Sequence, residues 1–235
     1  MNIIASTRTA ECCQVPPAWP PGYGSVLLRG VRWSTYEALL NDVGNDHIRL
    51  TYDRGTLEIM APLFRHEGAE ILLGELVKAL ARAEKLPIKS AGSTTFRRWD
   101  VERGLEPDRC FYIRNISAIL GKDDIKLPGD PPPDLAIEVD VEHRSLDRLP
   151  IYAALGVPEV WRFAQQRLEV LRRRDEYAYE SCAASPTFPH LPIDAVPELL
   201  QELIGLDDAS QEQRLRAWVR RYASGAKHAR RGKKK

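Results

Sequence analysis

Three carboxylates recur along the segment PPPDLAIEVDVEH at a spacing that could hold a divalent cation. Successive side chains of a strand point to opposite faces. Asp134, Ala136, Glu138 and Asp140 therefore share one side, and Leu135, Ile137, Val139 and Val141 the other. The aliphatic side suits a core. The acidic side would be costly to bury uncompensated, and a divalent ion is the usual compensation for clustered carboxylates. Oxygen donors suit Mg2+, which keeps several waters and recruits phosphate oxygens. Glu138 and Asp140 lie roughly 6.6 Å apart along a strand, within reach of one ion, whereas Asp134 is about 13 Å from Glu138. A solvent-facing edge strand would show the same acidic pattern, so the pattern alone does not decide.

A second carboxylate arm shifts the balance. Asp108 follows Pro107 and precedes the apolar run Cys110-Phe111-Tyr112-Ile113, which puts a carboxylate at the mouth of a neighbouring strand. Asp108, Glu138 and Asp140 are then the candidate metal ligands. Phosphodiester hydrolysis builds negative charge on the phosphoryl oxygens, and a cation stabilises it. Arg144 and Arg148 follow the carboxylate strand. Arg148 falls in the first turn of the next helix, aimed back at the strand end, with Arg144 and Lys89 as the next candidates.

The elements that would position these groups can be read from periodicity. Residues 31–43 predict a short helix with Ser34 as a cap. Residues 48–60 alternate on both sides of Asp53-Arg54-Gly55 and predict a hairpin. The longest helix is expected over 66–86, ended by Leu86-Pro87. Three strands follow, over 88–98, 107–113 and 133–141. A helix starts near Asp147, because Pro150 is tolerated only in a first turn, and Gly156 ends it. Strands PEVWRFA and RLEVLRRR come next, then helices over 199–206 and 211–222. His66, at the start of the long helix, could meet phosphate or make a local hydrogen bond. His143 lies beside the site in sequence. Strands and helices sharing one sheet give an α/β or α+β class.

Composition bounds the rest. Of the 235 residues, 43% are hydrophobic, enough for one core of ordinary size. Residues 1–25 are Pro- and Gly-rich and read as a flexible leader, 26–206 as the folded domain and 207–235 as a C-terminal helix and basic tail. The tail beyond Gly225 is expected to lack structure. Ten of the 34 Lys and Arg lie in 213–235, which has no acid, so the remaining 24 face all 33 acids and the body carries a balance of −9. Such a tail would add salt-sensitive attraction to nucleic acid. No run of eighteen apolar residues suggests a membrane span. The four cysteines form no CxxC pair, which fits a reducing cytoplasm. No phosphate-cradling glycine loop and no GxSxG motif occurs.

At these residues the sequence resembles the Uma-two family of restriction-endonuclease-like proteins, within the PD-(D/E)XK nuclease superfamily. The matching stretches are YDRGTLEIMAP, RHEGAEILLGEL, GSTTFRRWDVERGLEPDRCFYI, PPPDLAIEVD and SLDRLPIYAALGVPEVWRF, together covering residues 52–163. The resemblance implies a restriction-endonuclease-like central mixed sheet flanked by helices, with an N-terminal β-hairpin. It also implies Mg2+ or Mn2+ dependence and DNA as substrate, and it assigns the catalytic acids to Asp108 and Glu138, with Asp134 at a motif position and a helix acid at Glu67 or Glu70. A second copy of the chain is a further candidate partner. The superfamily's lysine two residues after the acid would fall at Asp140. Family members often carry a lysine four residues before the tyrosine matched by Tyr152, and that position is Arg148. Arginine keeps the charge but cannot give up a proton. Two other readings stay open: a catalytically silent DNA-binding or accessory protein, and an interaction module whose carboxylates do no chemistry. Metal binding and cleavage separate the three.

Overall fold

The computed structural model describes residues 25–43, 48–61, 64–92, 94–140 and 146–232, leaving the side chains of 43, 64–67 and 223–232 outside the description. In chain order the elements are β1 (Ser25–Arg29), α1 (Trp33–Val43), β2 (Arg49–Asp53), β3 (Thr56–Met60), α2 (Phe64–Glu84), β4 (Lys89–Ser90), β5 (Phe96–Arg98), β6 (Arg103–Leu105), β7 (Arg109–Tyr112), β8 (Leu135–Asp140), α3 (Leu149–Leu155), β9 (Glu159–Ala164), β10 (Arg167–Arg173), β11 (Tyr179–Ser181), α4 (Val196–Ile204) and α5 (Asp208–Gly232), with short 3-10 turns between some of them. The class is mixed α and β.

The strands form two sheets, not one. An antiparallel sheet has the order β1-β3-β2-β6-β5, and a mixed sheet the order β11-β10-β9-β8-β7-β4. The expected strand over 88–98 is divided between them: β4 pairs with β7 and β5 with β6. Gly92 breaks the run, with a φ of +60° that takes the chain out of any strand. β1, β6 and β11 had no clear alternation and were not foreseen. The 48–60 hairpin forms with Arg54 and Gly55 both at positive φ, the turn geometry that matches strand twist. α1 starts at Trp33, so Ser34 is inside the helix and not its cap. Past Gly225, where no structure was expected, α5 continues to Gly232.

In the mixed sheet only β8 and β9 are parallel. Parallel neighbours need a crossover, and α3 supplies it. The sheet is buried on both faces. Leu135, Ile137, Val139, Phe111 and Trp161 pack with α2, α4 and α5 in one cluster, whereas Cys110, Tyr112, Ala136 and Val160 pack with Ile151, Tyr152 and Leu155 of α3 in another. Ala136 thus makes core out of a face that its neighbours suggested was acidic throughout.

α3 is short, and guanidiniums donate to three of its carbonyls, one in its first turn and two at its C-terminal end. Arg103 donates to the Pro150 carbonyl at 3.3 Å, Arg173 to Ala153 at 2.7 Å and Arg98 to Ala154 at 2.8 Å. Cations suit that helix end, where carbonyls lack intrahelical donors. Arg98 and Arg103 come from the antiparallel sheet, so that sheet fixes α3, and α3 carries Arg148 at its N-terminal boundary.

Candidate active site

Strand register brings the two main acids together. Arg109 lies opposite Ile137 and Cys110 opposite Ala136. One step further along the antiparallel pair sets Asp108 opposite Glu138, and directly opposed residues share a face. The Asp108 Oδ2 accepts a hydrogen bond from the Val139 amide at 2.7 Å, which locks it against β8. Glu138 is next paired with Arg162 on β9, and Arg162 with Glu169 on β10. One level of the sheet therefore carries Asp108, Glu138, Arg162 and Glu169 side by side.

Each buried acid meets a positive or donating partner. Arg148 Nη1 lies 3.2 Å from Glu138 Oε2, with both side chains buried. The Tyr152 hydroxyl donates to Glu138 Oε1. Burial first, and the Glu138 charge next, push that hydroxyl well above its ordinary range, so Tyr152 stays a proton donor. Arg148 also donates to the Glu106 carbonyl, while its Nε finds no hydrogen-bond acceptor among the described residues. Arg49, reaching over from the antiparallel sheet, contacts Asp108 through Nη1 and Glu70 through Nη2 at 3.3 Å. Arg109 Nε lies 2.9 Å from the other Glu70 oxygen. Burial opposes the Arg49 charge, but Asp108 and Glu70 outweigh it and hold the guanidinium above its ordinary value. Burial, then the Asp108 charge, lift the Glu70 carboxyl above 4.5, and the arginines offset this only in part.

Of the expected site residues, Asp108, Glu138, Glu70 and Arg148 converge. Asp140 is half-buried and lines a small cleft of about 190 Å³ with Glu138, Arg148 and Arg162. Asp134, expected among the catalytic acids, is at the far end of β8. Its Oδ2 accepts from the amides of Ile113, Arg114 and Asn115 at 2.6, 2.9 and 3.1 Å, and its Oδ1 from Asn115 Nδ2 at 3.0 Å. That carboxylate is engaged in holding a loop. Between the helix acids, Glu70 is the one seen at Asp108. The side chains of Glu67 and His66, and all of His143 and Arg144, lie outside the described residues. Lys89 is exposed on β4. Arg49, Arg109 and Arg162 were not singled out from sequence. Each arginine sits in an ordinary alternating strand, and only tertiary pairing gives it a role.

The donor chemistry fits a hard divalent cation. Among the described residues no three His, Cys, Asp or Glu form a ready cage. Mg2+ does not require one, because it binds through one or two carboxylates and completes its shell with water and phosphate oxygens. Asp108 and Glu138 would supply that pair.

A mixed sheet with α2 on one face, the α3 crossover on the other and opposed acids at adjacent strands defines a restriction-endonuclease-like fold. Residues 33–206 match the Uma2 family model, described as “Putative restriction endonuclease”, and the chain belongs to that family. A solved structure described as a “putative nuclease belonging to DUF820”, from Anabaena variabilis, is similar at 14% identity and a TM-score of 0.43, over 72% of this chain and 90% of that one. No curated protein matches the chain. Among the described residues no helix is long and apolar enough to cross a membrane.

Proposed function

We propose that this chain is a Mg2+-dependent endonuclease that hydrolyses phosphodiester bonds in DNA. The observation that carries the reading is the opposition of Asp108 and Glu138 across β7 and β8, with the Arg148 guanidinium on Glu138 at one small cleft. Asp108 and Glu138 would hold the ion, with Asp140 near enough along β8 to assist. The ion supplies a water of lowered pKa and a polarised phosphate oxygen. Tyr152 fixes the Glu138 carboxylate by its hydrogen bond. Arg148 neutralises charge that develops on the phosphoryl group, and being always protonated it does not act as the base. Glu70, tied to Asp108 through Arg49, sets the position of the first acid. The choice of DNA rests on the family description.

One observation favours a second reading, a silent nuclease-fold protein that binds DNA. Arg49 and Arg148 already balance the acids a metal would need. A plasmid-nicking assay with Mg2+, Mn2+ and EDTA separates the two. The endonuclease nicks with either metal and stops in EDTA. Retention of DNA without nicking supports the silent protein, and neither binding nor nicking removes both.

A further inference from the structure

Arg162 stands at the junction of two depressions. It lines the small cleft with Glu138, Asp140 and Arg148, and it also lines a larger cleft of about 810 Å³ over β9 and β10, together with Gln165, Arg167, Glu169 and Asp194. Its place follows from register. Glu138 pairs with Arg162 in the parallel β8–β9 ladder, so Arg162 rises on the same face as that acid, one strand away. Arg167 pairs with Ala164, two residues beyond Arg162, and shares the face again. The two arginine Cα atoms are then about 8 Å apart, one strand over and two residues along.

The two arginines differ in occupation. Arg162 Nη2 lies 2.6 Å from Glu169 Oε2, and about two-fifths of the Arg162 side chain stays accessible. Arg167 is exposed and has no ion-pair partner among the described residues. The β9–β10 turn between them is tight, with Gln165 and Gln166 both at positive φ, so the pair flanks a two-residue hairpin turn. Glu169 and Asp194 are the acids of the larger cleft, and Glu169 is already matched by Arg162.

We propose that this second cleft is the track for the nucleic-acid strand on one side of the scissile phosphate, with Arg162 and Arg167 contacting successive phosphates. The inference rests on the endonuclease reading and deepens it. Asp108 and Glu138 would hold the cation that meets the reacting phosphate, and Arg162, next in the same row, meets the neighbouring phosphate by exchanging Glu169 for a phosphate oxygen. A guanidinium suits that exchange because it matches phosphate with a two-pronged donor set.

The test is binding of a short fluorescent DNA duplex to the full chain in EDTA, over a salt series, alongside steady-state cleavage in Mg2+. Each lost phosphate contact should reduce the slope of log K against log salt by about 0.9. Arg162→Ala should lose one such increment and Arg162→Ala with Arg167→Ala about two, with KM rising roughly tenfold per ionic hydrogen bond removed and kcat within about twofold. Arg162→Lys should keep the slope, and Glu169→Gln should bind as well or better. Arg82→Ala, on the exposed side of α2, is the control and should change nothing. If Arg162→Ala does not fold, Arg162→Gln and the exposed Arg167→Ala carry the same readout. Unchanged slope and KM in both arginine variants of a protein that binds and cuts DNA overturn this inference alone. A wild type that neither binds nor cuts overturns the endonuclease reading and this inference with it.

Discussion

Two kinds of buried carboxylate occur in and beside the mixed sheet, and they differ in what meets them. Asp134 and Glu159 are met by neutral donors, most of them from loops. Asp134 takes three backbone amides and an asparagine side chain. Glu159 takes the Trp161 indole at 2.7 Å, the Ser185 hydroxyl at 2.5 Å and the Thr187 amide and hydroxyl at 2.8 and 2.6 Å. Asp108, Glu138 and Glu70 are met by guanidiniums, and Glu138 lines a small cleft. Neutral donors in fixed loops hold a carboxylate in place and leave nothing to exchange. Guanidiniums leave positive charge that a phosphate can use. On the proposed function, the carboxylate pattern of a strand does not separate structure from chemistry, and the presence of a guanidinium partner is what would.

The largest effect that would break this comparison concerns Arg148. Arg148→Ala should lower cleavage by about a hundredfold or more, the loss typical of one transition-state donor, while metal affinity stays equal or rises. Arg148→Lys should keep activity, because it retains the charge. Full cleavage by Arg148→Ala in a metal-dependent assay would remove the guanidinium from the mechanism.

The reverse result is expected on the other side. Glu159→Ala or Asp134→Ala strands several donors, and each unsatisfied buried group costs about 1–3 kcal/mol. Both variants should melt well below wild type, as thermal denaturation would show, yet the folded fraction should cut at the wild-type kcat. A stable Asp134→Ala protein that fails to cut would place Asp134 in the chemistry after all.

How much of this was legible in the sequence depended on locality. The helix over 66–86, the hairpin at Arg54-Gly55, the crossover helix after Pro150 and the strand carrying Glu138 follow from short-range periodicity and turn residues, and all four form. Asp108 and Glu138 could be paired because Pro-Asp before an apolar run and alternation along β8 are local signals. The split of 88–98 between two sheets is not local: β4 is only two residues long and acquires its identity from β7. The partners of Asp134 were not legible, because nothing in PDLAIEV shows that three amides from 113–115 converge on its carboxylate. Arg49 lies 59 residues before Asp108, and nothing in its own strand announces the contact.

A smaller effect sharpens the same contrast. Arg49→Gln removes the cation lying on Asp108 and Glu70. Divalent-metal affinity should then rise several-fold, since the ion no longer competes with a resident charge. The shift in melting temperature with Mn2+ concentration would read this directly. Equal metal dependence in wild type and Arg49→Gln would mean that Arg49 and the ion do not share ligands.

The most direct test is calorimetric titration of Mn2+ into wild type, Glu138→Gln and Asp134→Asn. Saturable binding by wild type and Asp134→Asn, absent in Glu138→Gln, is the predicted result. Equal binding by wild type and Glu138→Gln, or loss of binding in Asp134→Asn alone, would contradict the assignment of the metal to the Asp108–Glu138 pair.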